Sequence, residues 1–194
     1  MIYIIRHGQT KLNKARVLQG RSDEPLNEDG KKQAEEAAEL FARNGITIDR
    51  VWTSPLQRAV QTAQIIVGPD TPIQTNDLLL EMDYGPYEGA DLMSPPPEII
   101  EFFSDFVNNP APAGMEPLHE VVDRLGVFIE QLRPALREDE NVLISTHAIA
   151  MKGALEYLTP ESKGSYWNKH IANCEIYITE LKDGVFTIPT KLGE

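Results

Sequence analysis

The chain opens with Met1-Ile2-Tyr3-Ile4-Ile5-Arg6-His7-Gly8-Gln9-Thr10, an apolar run that meets a cation, an imidazole and a glycine. The apolar run predicts a short buried strand over residues 1–5. In open α/β sheets, ligands bind at the carboxyl ends of the strands. We therefore expect Arg6 and His7 at a binding edge, where a guanidinium can hold phosphoryl oxygens while a neutral imidazole attacks phosphorus.

The rest of the chain alternates between strand and helix patterns, which predicts an α/β fold with a mainly parallel sheet. Further strands are predicted at 49–53, within 73–80 and at 141–145, and a closing hairpin from 175–181 and 185–188. Helices are predicted after an Asn27 cap, after a Ser54 cap with Pro55 as first helical residue, near 98–107, over 118–136 and up to Leu158. We expect one domain over residues 1–194, with residues 84–117 as an insertion over the sheet edge.

Composition excludes several classes of protein. The net charge of −12 argues against nucleic acid as the main partner. A single cysteine, Cys174, excludes an internal disulfide and fits a reducing compartment. No apolar run approaches the roughly 18 residues of a membrane-spanning helix, and the first five residues are too short for a signal-peptide core. We expect a cytoplasmic protein with no membrane partner, whose oligomeric state, including a homodimer, is left open.

The acidic excess is concentrated in the middle of the chain. No Lys or Arg occurs between Ala59 and Asp123, and that stretch holds 12 of the 30 acidic residues. One interpretation is a solvated surface that aids solubility. The other is a lid that disfavours highly anionic substrates.

A phosphate site is indicated by two arginines, two histidines and a helix N-terminus, with Arg6, Arg58, His7 and His147 as the side chains. Two predicted strands, 1–5 and 141–145, each deliver a histidine at the carboxyl end, His7 and His147. Arg58 falls in the first turns of a predicted helix, where free backbone N–H groups favour an anion. Glu81 follows another strand-like segment and is a candidate proton donor, with Asp83 and Glu88 as alternatives.

These residues sit in motifs that resemble the histidine phosphatase superfamily, in its phosphoglycerate mutase-like branch. The matching stretches are RHGQT at 6–10, TSPLQRAVQTA at 53–63, LLEMDYGPYEG at 79–89 and VLISTHAIAMKG at 142–153. Smaller matches are Asn13, Gln19-Gly20, Asp23 with Pro25-Leu26, Gly30 with Gln33-Ala34, and Asn173-Cys174. The resemblance implies a three-layer α/β/α sandwich with a mixed, mainly parallel sheet.

The resemblance also implies a role for each matching position. His7 would be the nucleophile that forms a phosphohistidine, and Glu81 would protonate the leaving oxygen and later deprotonate water. The phosphoryl group would be bound by Arg6, Arg58 and His147. The substrate side of the pocket would be lined by Asn13, Gln19, Gly20 and Ala148. The family uses no metal and no organic cofactor, and its ligand would be a small phosphorylated metabolite.

Three functions fit the sequence: a phosphatase for small phosphomonoesters, a cofactor-dependent phosphoglycerate mutase, and a non-catalytic member that binds phosphorylated ligands. All five chemical residues are present, which weakens the third. The mutases that this chain resembles are longer and carry cations after the acid motif, which the stretch 59–123 lacks, so we favour the phosphatase. Ala148 stands where glycine is common, and would be strained if that position required a positive φ.

Overall fold

The fold is built on a mixed sheet, which has six strands within residues 1–193, the part of the chain that the computed structural model describes. These strands are β1 Ile2–Arg6, β2 Arg50–Thr53, β3 Ile73–Thr75, β4 Val142–Thr146, β5 Ile176–Thr179 and β8 Thr190–Lys191. They lie side by side in the order β3-β2-β4-β1-β5-β8. The first four are mutually parallel, and β5 and β8 add antiparallel pairings at one edge.

In the described residues, six α-helices surround the sheet: α1 Lys11–Lys14, α2 Glu28–Arg43, α3 Gln57–Val67, α4 Pro97–Ser104, α5 Leu118–Leu132 and α6 Ala148–Leu158. Successive side chains of a strand point to opposite faces. Tyr3 and Ile5 accordingly pack with α2 and α3, while Ile2 and Ile4 pack with α5 and α6. This gives helices on both faces of the sheet, as the predicted three-layer sandwich requires.

The two central strands bring the chemical ends of the chain together. β1 and β4 pair in parallel from Ile2 with Val142 to Arg6 with Thr146. Because both strands run in the same direction and stop at the same level, the residues that follow them leave the sheet side by side. The register therefore places His7 next to His147.

Residues 84–117, which the sequence analysis interpreted as an insertion, pack on the same core as α5 and α6. Helix α4 buries Ile99 and Phe102 in that core. The sequence predicted a helix near 98–107, but α4 ends at Ser104. Asp105 leaves the helical region, with φ −155°, and its carboxylate accepts from the backbone N–H groups of residues 107 and 108. This local turn competes with the helix and ends it.

Two other predicted boundaries were wrong. Helix α5 ends at Leu132 and a 3-10 turn, Arg133–Ala135, follows, because Pro134 has no N–H to continue the helical hydrogen bonds. The predicted closing hairpin is shorter, since only β6 Leu181–Lys182 and β7 Val185–Phe186 pair there, and β5 belongs to the main sheet. Within residues 1–193, no helix is long and apolar enough to cross a membrane.

Candidate active site

Two buried imidazoles form the centre of the site. His7 and His147 follow β1 and β4, and the His7 N–H donates to the Thr146 carbonyl at 2.9 Å. Their ring centroids lie 5.1 Å apart, and their exposed fractions are 3% and 0%. The structure thus brings together the two histidines that the sequence placed at neighbouring strand ends.

The loop after His7 crosses closely over the beginning of α2. A Cβ on Gly8 would lie 2.4 Å from the Gly30 carbonyl oxygen, and a Cβ on Gly30 would lie 2.1 Å from the Gln9 carbonyl oxygen. Real Cβ atoms do not approach backbone this closely, so both positions require glycine. The close crossing fixes the path of the backbone just beyond His7.

Arg58 links the two histidines. Its Nε donates to His7 Nε2 at 3.2 Å and to His147 Nδ1 at 3.1 Å. Its two terminal nitrogens donate to the carbonyl oxygens of Ser22 and Gly20, both at 2.6 Å. The whole side chain is buried. Arg58 is therefore held in one orientation by groups from three separate parts of the chain.

Helix α3, which carries Arg58, begins differently from the prediction. Ser54 does not cap it and Pro55 is not its first residue, because the helix begins at Gln57. The Gln57 N–H instead donates to Asp23 Oδ1 at 2.7 Å, so a carboxylate from a distant loop caps the helix. Arg58 still lies in the first turn, as predicted, because the helix starts only one residue before it.

The hydrogen bonds assign a tautomer to each imidazole. His7 Nδ1 lies 2.7 Å from the Gly8 carbonyl oxygen, which can only accept, so Nδ1 carries the proton and Nε2 has the free electron pair. His147 Nδ1 accepts from Arg58, so its Nε2 carries the proton and donates to Ser54 Oγ at 2.7 Å. His7 thus presents a nucleophilic Nε2 to the guanidinium.

Burial and positive charge keep both imidazoles neutral. Burial lowers the pKa of His7 well below its usual value, and the Arg58 and Arg6 guanidinium groups lower it further. Burial also lowers the pKa of His147 well below that value, with Arg58 the largest charge contribution. A neutral imidazole is the form that can attack phosphorus.

Glu81 lies at the N-terminus of α6. Its Oε1 accepts from the N–H groups of Met82 and Ala150, both at 2.9 Å, and its Oε2 accepts from the Ile149 N–H at 3.2 Å. It is 3% exposed. Burial lowers the pKa values of Arg6 and Arg58, and the negative charge of Glu81 raises both pKa values in part. Glu81 therefore lies within electrostatic range of both guanidinium groups.

Two of the predicted phosphate and substrate contacts have unused donors. Arg6 donates from one terminal nitrogen to the Ile171 carbonyl at 2.5 Å, while its buried Nε has no hydrogen-bond partner among residues 1–193. Gln19 accepts the Thr10 hydroxyl at 2.7 Å, and its buried Nε2 likewise has no partner in the described chain. Both groups can donate to a bound anion without breaking an existing bond.

The other predicted substrate-side residues have structural contacts. Asn13 Oδ1 accepts from the Thr10 N–H at 3.2 Å as part of the capping box of α1. Gly20 gives its carbonyl oxygen to Arg58. Ala148 is the first residue of α6 and is not among the positive-φ residues, so alanine is unstrained there.

Several residues that the sequence analysis named for other reasons, or only within a motif, have contacts that shape the site. As described above, Ser54 accepts a hydrogen bond from His147, and Asp23 accepts one from the first residue of α3. Tyr84 is buried, and its pKa is raised well above its usual value by burial and by the carboxylates of Glu81 and Glu88. Glu88 binds the loop at residues 20–22. These partners are far apart in the sequence, so no spacing pattern could reveal them.

Comparison with known proteins gives the family. A sequence profile of the histidine phosphatase superfamily (branch 1) matches residues 2–191. The chain belongs to this superfamily. No group of three or more His, Cys, Asp and Glu side chains that could hold a metal occurs in the described part of this family member.

Relatives within the superfamily have different names. The chain is 35% identical to the uncharacterized phosphatase PhoE of Bacillus subtilis (79% of this chain, 75% of the relative). It is 28% identical to a 2,3-bisphosphoglycerate-dependent phosphoglycerate mutase of Parvibaculum lavamentivorans (94% of this chain, 91% of the relative). The solved structure of Bacillus stearothermophilus YhfR superposes with a TM-score of 0.84 at 26% identity, covering 96% of this chain and 94% of that one. These likenesses confirm the predicted family and fold.

Proposed function

We propose that this protein hydrolyses small phosphomonoesters through a phosphohistidine on His7. The observation that carries the proposal is the assigned tautomer: His7 Nε2 has a free electron pair and faces the Arg58 guanidinium at 3.2 Å. A guanidinium there can bind the phosphoryl oxygens and stabilise the charge that develops on them. Arg6, whose buried Nε has no partner in the described chain, is a second donor there. His147 as assigned has no N–H left for the phosphoryl group, because its Nδ1 accepts from Arg58 and its Nε2 donates to Ser54.

In the first step, Nε2 of His7 attacks phosphorus and the bond to the ester oxygen breaks. The imidazole gains positive charge, which the Nδ1–H bond to the Gly8 carbonyl stabilises. Glu81, which takes up a proton from solvent when the anionic substrate binds beside it, gives that proton to the departing oxygen. We assign this proton to Oε2, because that oxygen accepts only the single 3.2 Å bond from Ile149.

In the second step, water replaces the departed alcohol. Glu81, now ionised, takes a proton from the water as its oxygen attacks phosphorus. The Nε2–P bond breaks, phosphate leaves, and His7 returns to its neutral form. Glu81 regains its proton, so the residues finish the cycle in their starting state.

The substrate in this proposal is a monophosphate with a small organic leaving group. Gln19 Nε2 and Arg6 Nε are buried donors without a partner in the described chain, and we assign them to the phosphate or the adjoining part of the ligand. The absence of Lys and Arg between residues 59 and 123 favours one anionic group per substrate. The proposal includes no metal, no cofactor, no nucleic-acid partner and no membrane partner. It includes a cytoplasmic location. A homodimer remains compatible with it.

Mutase activity is the second candidate because a relative with that name covers nearly the whole chain. We expected such mutases to be longer than this chain, and the match spans 91% of that relative, so the two differ little in length. For that relative, length is a weak argument between the two activities. The lack of cations after the acid motif is the remaining argument for the phosphatase.

The experiment is a screen of phosphomonoesters for phosphate release, with His7→Ala as the inactive control. Wild-type protein should release phosphate, and a quench with ³²P-labelled substrate should leave base-stable, acid-labile label on His7. His7→Ala should give neither. Phosphoglycerate interconversion that depends on a bisphosphoglycerate primer would show the mutase instead, and ligand binding without turnover would show a non-catalytic member.

A further inference from the structure

Glu88 makes an unusual set of contacts for a carboxylate beside a phosphate site. It follows the 3-10 turn Gly85–Tyr87, and its two oxygens lie 2.9 and 3.0 Å from the Gly20 nitrogen. They also accept from the N–H groups of Arg21 at 3.3 Å and Ser22 at 3.2 Å, and from the Ser22 hydroxyl. Three successive backbone N–H groups thus surround one carboxylate.

The same loop holds Arg58 from its other side. The Gly20 and Ser22 carbonyl oxygens each lie 2.6 Å from a terminal nitrogen of Arg58. The N–H groups of residues 20–22 therefore point to Glu88, while carbonyls of the same loop point to Arg58. Hydrogen bonds in such a chain polarise one another, so the carboxylate strengthens the loop's hold on the guanidinium. The charge of Glu88 also raises the pKa of Arg58 against the effect of burial.

We propose that Glu88 is a positioning residue for phosphoryl transfer: it fixes the loop at residues 20–22 so that Arg58 stays aimed at the reacting phosphoryl group. This inference rests on the function proposed above. It assigns Glu88 a role different from that of proton donor, for which the sequence left it as an alternative to Glu81. The loop at residues 20–22 already donates hydrogen bonds to both carboxylate oxygens of Glu88.

The mechanism requires this precision. Arg58 Nε contacts both imidazoles, so a shift of the guanidinium moves the charge that faces His7. A misplacement of about 1 Å in a reacting assembly can cost about 100-fold in rate. Loosening the loop should therefore reduce turnover even though Glu88 touches no reacting atom.

The experiment compares Glu88→Gln with a matched control, Glu98→Gln, an exposed carboxylate of the same insertion. Glutamine keeps the shape of the side chain, but it replaces one carboxylate oxygen by an amide NH₂. That NH₂ cannot accept hydrogen bonds from the backbone N–H groups of residues 20–22. We expect kcat to fall by about 10- to 100-fold, with equal losses on aryl and alkyl phosphates, because positioning affects both equally. Inhibition by orthovanadate, which resembles the transition state, should weaken by a similar factor. Glu98→Gln should behave as wild type.

A double-mutant cycle separates positioning from a general effect on the fold. In an Arg58→Lys background the guanidinium is already gone, so Glu88→Gln should cost less than about threefold. If Glu88→Gln does not fold, as judged by circular dichroism, Ser22→Ala carries the test. That variant removes one donor to Glu88, keeps the Ser22 carbonyl, and should give a smaller loss of the same kind.

Three results would overturn the inference: kcat of Glu88→Gln within twofold of wild type, a loss much larger on alkyl than on aryl esters, or full additivity with Arg58→Lys. The second would make Glu88 a proton donor. The proposed function fails in a different way, through wild-type protein that releases no phosphate. The two failures are therefore distinguishable in one set of assays.

Discussion

Arg58 Nε donates a hydrogen bond to His7 Nε2 at 3.2 Å, the nitrogen whose electron pair would attack phosphorus. The contact sets the electrostatics of the site, because a buried cation beside an imidazole disfavours its protonation. It also means that the Arg58 Nε–H must exchange the His7 nitrogen for a phosphoryl oxygen as its acceptor when the substrate enters. The two remaining Arg58 nitrogens stay anchored on the loop at residues 20–22, which limits movement of the guanidinium.

The two buried imidazoles should make stability depend on pH below about 6.5. Their pKa values are lowered in the folded state, so the unfolded chain binds more protons as the pH falls through the ordinary histidine value. Stability is then present above pH 6.5 and is lost as the pH falls towards the folded-state pKa values. Each histidine should remove up to about 1.4 kcal/mol per pH unit from the free energy of unfolding.

Urea unfolding between pH 7.5 and 5 measures this dependence. His147→Gln should reduce the slope of the free energy of unfolding against pH by the contribution of about one histidine. His119→Gln, which replaces an exposed histidine, should leave that slope unchanged. A slope that is the same in all three proteins would show that carboxylates alone cause the acid instability.

Glu81→Gln should reduce turnover most on substrates with poor leaving groups. General acid catalysis contributes about 10²- to 10⁴-fold, and alkyl alcohols need the proton more than phenols do. The measurement is kcat for an alkyl and an aryl phosphate. Asp83→Asn is the control, because the Asp83 carboxylate is half-exposed and accepts a hydrogen bond from the Gly85 N–H. Comparable losses of Glu81→Gln on both esters would assign the proton to another group.

Turnover should not require a divalent metal. Arg6, Arg58 and the buried N–H donors supply the positive charge that metals supply in other phosphatases. Dialysis against EDTA should leave kcat within about twofold of the untreated protein. A loss that Mg²⁺ or Zn²⁺ restores would contradict this mechanism.

A second phosphate on the substrate should lower kcat/KM at low ionic strength. The stretch 59–123 has 12 acidic side chains and no Lys or Arg. The structure shows that two of these acids pair with cations from outside the stretch, Asp83 with Arg21 and Glu116 with Arg124. The exposed ones, including Glu98 and Glu101, keep their charge facing solvent.

The measurement compares a sugar monophosphate with its bisphosphate at low and high salt. Screening acts over about 8 Å at physiological ionic strength, so the ratio of the two kcat/KM values should move towards one as salt rises. A bisphosphate that is the better substrate at low salt would show that the acidic stretch is only a solvated surface.

The fold could be predicted because local sequence patterns indicate most of its strands and helices. The run before Arg6 and the buried strand before His147 end in chemical groups, and parallel pairing then places these groups side by side. The Ser54-Pro55 pattern predicted the helix that brings Arg58 to the same edge, although the helix begins at Gln57. Most of the errors lie at the ends of helices, where local sequence does not show which residue caps the helix. Ser54 reads as a helix cap, yet its hydroxyl is taken by His147, and α3 is capped from elsewhere.

The sequence by itself determined the family, the order of the strands and helices, and which residue types are available for chemistry. Only the tertiary structure decided which nitrogen of His7 is free, that Asp23 caps α3, and that Glu88 binds the loop that holds Arg58. The physical reason is distance along the chain. Strands and helices follow from neighbours a few residues apart, whereas the bond from Gly20 to Glu88 joins residues 68 positions apart and forms only when the sheet has brought them together.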